Sequence, residues 1–177
     1  VEKAIARFEG NLTPERVEAM PPDELADTIR PAGFFNQKAE YLKTLTAWFK
    51  RYGYSAENAS RSGLEPLREE LLALRGIGKE TADSILLYAL ELPTFVVDAY
   101  TSRLLTRLGC GPCPPLSYDA IKAYFEGGLE SETALFNNLH AMIVINAKEH
   151  CRAKPICKDC PLASVCGTGA AMISVCP

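Results

Sequence analysis

Four cysteines within sixteen residues, spaced Cys151-x5-Cys157-x2-Cys160-x5-Cys166, constrain this chain more than any other feature. Thiolates this close along a chain can converge on one centre. A structural zinc usually takes two close pairs from separated knuckles, and here only one Cys-x2-Cys exists. A compact quartet stiffened by Pro155 and Pro161 suits a [4Fe–4S] cube, in which each corner iron takes one thiolate. Zinc and disulfides are the alternatives, although so tight a loop leaves disulfides little room. The chain has seven cysteines, an odd number that excludes complete internal pairing and suggests a reducing compartment. Lys148, Arg152, Lys154 and Lys158 stand against Glu149 and Asp159 around the loop. Such a basic cluster offsets a cluster's charge or meets phosphates, and a solvated charge run looks the same.

With 177 residues the chain is one domain or two small lobes, and its periodicity is helical nearly throughout. Ala4, Ile5 and Phe8 share one face of an opening helix. Thr13-Pro14 reads as an N-cap and first helical position for a helix through Met20. Further helices are expected at Asp23–Arg30, 34–51, Pro66–Leu74, Lys79–Leu90, Asp98–Leu108, about Tyr118–Phe125 and Glu132–His150. Trp48 falls on a core stripe with Phe35, Ala39, Leu42, Leu45 and Phe49. No convincing strand is present, so the fold class is all-α. No apolar run approaches the roughly 18 residues of a membrane span. No signal segment is evident, and the start at Val1 rather than Met leads us to expect that an upstream segment is missing.

The segment Leu71–Ala82 joins two helices through Gly76-Ile77-Gly78. Two glycines two apart permit conformations that other residues resist and bare the amides of the next helix. Bare amides and the helix dipole form an anion site, flanked by Arg75 and Lys79, so the formal charge of −3 does not exclude a polyanionic partner. An ordinary helix–turn–helix connection would share the two glycines. Asp98, at a helix start after Val96-Val97, reads either as a plain N-cap or as a carboxylate placed to stabilise a developing cation or activate water.

Together these residues resemble the helix-hairpin-helix DNA glycosylases of the endonuclease III type, over nearly the whole chain. The resemblance rests on residues 30–42, the hairpin in 71–90, Val97-Asp98 and the loop 151–166. It implies two helical lobes flanking a DNA-binding cleft, with a truncated helical barrel at 1–94 and an iron–sulfur domain at 95–177. It also implies double-stranded DNA with a damaged base as partner, base flipping, and N-glycosidic cleavage. Asp98 would be the catalytic carboxylate. Gly76, Ile77, Gly78, Arg75, Lys79, Lys154 and Lys158 would contact DNA. Cys151, Cys157, Cys160 and Cys166 would hold a structural [4Fe–4S] cluster. A monomer is expected, cytoplasmic and nucleoid-associated if prokaryotic, with no membrane contact.

Departures from the pattern narrow the expectation. Bifunctional members carry a lysine two positions after the second glycine, where this chain has Glu80. Lys79 points about 100° away around the helix. A monofunctional enzyme is therefore expected, and Glu80, His140, Gly-Ile-Gly-Lys-Glu and Val-Val-Asp resemble the 3-methyladenine glycosylase branch, which removes alkylated purines. Asn146-Ala147-Lys148 replaces the His-Gly-Arg of endonuclease III, and Cys151-x5-Cys157 is one residue shorter. The rival readings are a bifunctional lyase for oxidised pyrimidines, a non-catalytic DNA-binding iron–sulfur module, and a cluster-bearing redox protein. Cys110-Gly-Pro-Cys113 imitates a dithiol motif but follows a helix and precedes Pro114-Pro115, so it reads as a loop. Cys176 is assigned no role. His140 reads as a satisfied core residue, and His150 as packing near the cysteine loop.

Overall fold

The computed structural model of the chain describes residues 1–112 and 115–170. Every regular element among the described residues is helical, as the periodicity requires. The chain forms two compact units, Val1–Gly78 and Lys79–Pro177. The expected boundary at residue 94 falls inside the second unit, within an extended segment.

In the first unit, α1 (Glu2–Ala6), α2 (Pro14–Ala19), α3 (Pro22–Thr28) and a 3-10 turn (Arg30–Ala32) precede the long α4 (Phe35–Lys50). Thr13 Oγ1 accepts the Arg16 amide at 3.2 Å, and Pro14 occupies the first helical position, so the expected cap forms. Phe8, Val17, Met20, Leu25, Ile29 and Ala39 form a buried core in which α4 packs on α2 and α3. Two short helices, α5 (Ala56–Ser60) and α6 (Leu64–Ala73), complete the unit. Trp48 is in the core, as its stripe indicates, and its indole donates to Glu70 Oε2 at 2.7 Å. Burial opposes ionisation of Glu70, but Trp48, the Tyr52 hydroxyl and Arg51 together hold its carboxyl below the ordinary value.

In the second unit, Lys79–Leu90 is not one regular helix. After α7 (Lys79–Ser84) the chain widens into a π-turn (Ile85–Ala89), and the Leu90 amide bonds the Ile85 carbonyl five residues back at 3.1 Å. The wide turn leaves the adjacent Leu86 and Leu87 both buried and Tyr88 exposed. An extended run, Phe95-Val96-Val97, then crosses the core before α8 (Ala99–Leu108). The Phe95 ring stacks on Phe125 of α9 (Tyr118–Gly128) at 4.0 Å between centroids. It also meets Phe136 of α10 (Thr133–Glu149) edge-on at 5.8 Å. Polar groups fix the same run: Glu126 Oε1 accepts the Phe95 amide at 2.8 Å and the Thr94 hydroxyl at 3.2 Å. Lys122 bonds both Thr94 and Glu126 and lies 3.8 Å from buried Asp83. This buried ionic network, closed by Tyr118 donating to Asp83 at 2.7 Å, anchors the backbone that delivers Asp98.

Candidate functional site

Asp98 caps α8. Its Oδ1 accepts the Thr101 amide at 2.7 Å and the Thr101 hydroxyl at 2.9 Å. The other oxygen, Oδ2, lies 3.5 Å from Nε2 of His140, close enough for electrostatic attraction but not aligned as a hydrogen bond. The two side chains are only 13% and 9% exposed. Burial works to raise the Asp98 carboxyl, yet His140 and the two Thr101 bonds outweigh it and hold the group below its ordinary value. The N-cap reading of Asp98 is met by Oδ1 alone, which leaves Oδ2 facing His140.

His140 departs from its expected role. It is buried, but its Nε2 has no hydrogen-bond partner among the described residues, so it is not a satisfied core histidine. Its Nδ1 is hydrogen-bonded to the hydroxyl of Tyr88, on the π-turn. Burial and the charge of Asp98 keep that phenol protonated beyond its ordinary range. Tyr88 was invisible to sequence reasoning, because it lies 52 residues from His140 and carries no motif.

Cys151, Cys157, Cys160 and Cys166 line one pocket with Leu104, Asn146 and His150, so His150 does pack beside the cysteine loop. The wall is chiefly apolar, and Arg107 reaches it from α8: Nη1 donates to Cys151 Sγ at 3.2 Å and to the Arg152 carbonyl at 2.6 Å. Nη2 of Arg107 donates to the Ala153 carbonyl at 2.9 Å, and Arg103 Nε to the Cys151 carbonyl at 2.8 Å. Cys166 Sγ approaches the Arg107 carbonyl at 3.2 Å, and Cys160 Sγ approaches Asn146 Oδ1 at 3.5 Å. The i, i+4 spacing of Arg103 and Arg107 was the available sign that both face one partner. Lys154 and Lys158 are exposed on the same loop. Cys110 is exposed, while Cys113 and Cys176 lie outside the described residues.

At the glycine turn, Gly76 has φ +87°, and a Cβ there would sit 2.2 Å from the Tyr41 ring. Glycine is thus favoured at 76 on two counts. Gly78 differs: its φ is ordinary, and a Cβ would meet no atom of the chain within 4 Å. Arg75 is 82% exposed with Glu40 3.5 Å away, while Lys79 is engaged by Asp119 and Glu80 is exposed.

Residues 1–123 match the HhH-GPD superfamily of base excision DNA repair proteins, and the chain belongs to that superfamily. It is 43% identical over 170 residues to a protein of Methanocaldococcus jannaschii provisionally named a DNA repair glycosylase, covering 94% of this chain and 77% of that one. Its fold matches Endonuclease III in a trapped covalent intermediate with DNA, with a TM-score of 0.75 and 26% identity over 97% of this chain and 76% of the other. It also matches the 3-methyladenine DNA glycosylase of H. pylori bound to 1,N6-ethenoadenine, with a TM-score of 0.71 and 29% identity over 84% and 76%.

Proposed function

We propose that this chain is a monofunctional DNA N-glycosylase that flips a damaged, alkylated purine out of duplex DNA and hydrolyses its N-glycosidic bond. The observation that carries this reading is the setting of Asp98, with Oδ1 committed to the α8 cap and Oδ2 an ionised, oriented acceptor. As the bond from C1′ to the base breaks, its electron pair leaves with the base and positive charge develops on the sugar. A fixed carboxylate stabilises that charge. Water then forms the new C1′–O bond, and Asp98 takes the proton it releases. An alkylated purine already carries positive charge and departs as a neutral base, so a strong general acid is unnecessary. Similarity to the H. pylori enzyme, named a 3-methyladenine DNA glycosylase, supports that substrate class.

Glu80 supports hydrolysis over strand cleavage, because it stands where a Schiff-base lysine would be needed, and the neighbouring Lys79 is held by Asp119. Backbone amides of Gly76 and Gly78 would hold a DNA phosphate, with Ile77, whose own amide bonds the Leu74 carbonyl at 3.2 Å, buttressing the turn, and Arg75, Lys79, Lys154 and Lys158 would add positive charge toward DNA. The open space at Gly78 is what close approach of a DNA backbone requires. The partner is double-stranded DNA carrying a damaged base, and the enzyme acts as a monomer near the nucleoid if prokaryotic. No helix among the described residues is long and apolar enough to cross a membrane.

The cysteine pocket fits a [4Fe–4S] cluster held by Cys151, Cys157, Cys160 and Cys166. Burial, then the negative charge of Cys160, Cys166 and Cys151, pushes the Cys157 thiol up against the opposing pull of Arg107, as befits sulfurs that face one space. Among the described residues, no three ligating side chains gather closely enough for a single metal ion. A cube, which spreads its thiolates over four corners, does not need them to. When bound, the cluster would supply a structural cross-link across the loop. Iron and sulfide analysis tests this, and zinc without iron would overturn it.

The function is tested by presenting 3-methyladenine, uracil, thymine glycol and mismatched adenine in parallel duplexes. Release of the alkylated base without a borohydride-trapped adduct is expected. A covalent adduct would instead favour the bifunctional reading, which the likeness to the trapped Endonuclease III intermediate keeps in view. Tight duplex binding with no release of any base would favour the non-catalytic module.

A further inference from the structure

We propose that Tyr88 and His140 form a positioning pair that aims Oδ2 of Asp98 at the reacting sugar by holding His140 as its Nε2–H tautomer. This inference rests on the reading of Asp98 as the catalytic carboxylate. An ionised carboxylate offers about four lone-pair directions. Thr101 occupies both directions on Oδ1, leaving Oδ2 as the oxygen available to a substrate. An oxygen bonded to nothing in the protein would be free to rotate out of line, except that the second one is tied to the first through the carboxylate plane and faces a buried imidazole at 3.5 Å.

The tautomer follows from the two neighbours of that ring. A bare Nε2 lone pair facing a carboxylate oxygen would be repelled, so the ionised Asp98 favours a proton on Nε2. In this neutral tautomer Nδ1 is an acceptor, and the Tyr88 hydroxyl beside it is the donor. Tyr88 suits that duty, since burial and the nearby aspartate keep its phenol protonated. The orphaned Nε2 is thereby accounted for: its hydrogen points at Oδ2 and is set to complete a proper bond when the carboxylate is drawn toward substrate. Catalytic hydrogen bonds are often long before substrate binds. The π-turn has a role here too. It carries Tyr88, whose ring centroid lies 6.0 Å from that of His140 on α10.

The chain has only two histidines, His140 and His150, so nitrogen NMR of 15N-labelled protein can read each ring. His140 in the wild type is expected as Nε2–H, and Tyr88→Phe is expected to mix the tautomers. In single-turnover base release, Tyr88→Phe and His140→Leu should each slow the chemical step about tenfold, the scale of one lost hydrogen bond, with duplex affinity unchanged. The double variant should lose no more than the slower single one. His140→Gln, which offers both a donor and an acceptor, should recover part of the rate. An Nδ1–H ring in the wild type, or single effects that multiply in the double variant, would overturn the pair. Full activity of Asp98→Asn alongside an Nε2–H ring would instead overturn the catalytic reading on which the pair rests.

Discussion

Arg107 donates a hydrogen bond to the sulfur of Cys151 at 3.2 Å while gripping the carbonyls of Arg152 and Ala153. One guanidinium thus fixes both the first cysteine of the loop and the backbone that follows it. Lysine cannot reproduce a planar fork with three acceptors. Arg107→Leu is expected to loosen the loop by about 1–2 kcal/mol and to lower iron retained per chain, with Arg107→Lys intermediate. Iron content and the rate at which the proposed cluster is lost in air measure this. Unchanged values for Arg107→Leu would show that the loop holds itself.

The two glycines of the turn separate fold from function. Gly76→Ala meets both a left-handed backbone and the Tyr41 ring, so a loss of about 1–3 kcal/mol is expected in denaturant unfolding. Gly78→Ala meets open space and should unfold like the wild type. It should nonetheless bind duplex more weakly, because its methyl occupies the surface where the phosphate is proposed to sit. Equal duplex affinity for Gly78→Ala and wild type would remove that surface from the interface.

Asp98 also sets a pH dependence. Its folded carboxyl lies below the ordinary value, so its ionised form stabilises the folded chain above about pH 4. That contribution disappears as pH falls through the depressed folded value. The stability gap between wild type and Asp98→Asn, measured by denaturant unfolding, should therefore be smaller at pH 3 than at pH 7. Asparagine is itself a good helix cap, which isolates the charge from the cap. A gap independent of pH would contradict the assignment.

The helices were legible because their apolar spacing and capping residues are local, as at Thr13-Pro14 and Asp98. The cysteine set was legible because its spacing is compact, and its members do line one pocket. The π-turn was not, since a one-residue change in hydrogen-bond register leaves the apolar pattern of 79–90 looking helical. The environment of Asp98 was hidden for a different reason. Tyr88 and His140 are 52 residues apart, and Arg107 and Cys151 are 44 apart, so only tertiary packing brings them together. His140 shows the consequence: its apolar helix correctly indicated burial, while the partner left waiting on Nε2 could not be read from α10 alone.

The proposed catalytic role of Asp98 is tested by single-turnover excision with wild type and Asp98→Asn on a duplex containing 3-methyladenine. The expected result is base release by the wild type and a rate at least about 100-fold lower for Asp98→Asn, the scale of a lost general base. Duplex affinity should stay close to wild type, and the variant should remain folded at the assay temperature. Excision by Asp98→Asn at the wild-type rate would rule out a catalytic Asp98.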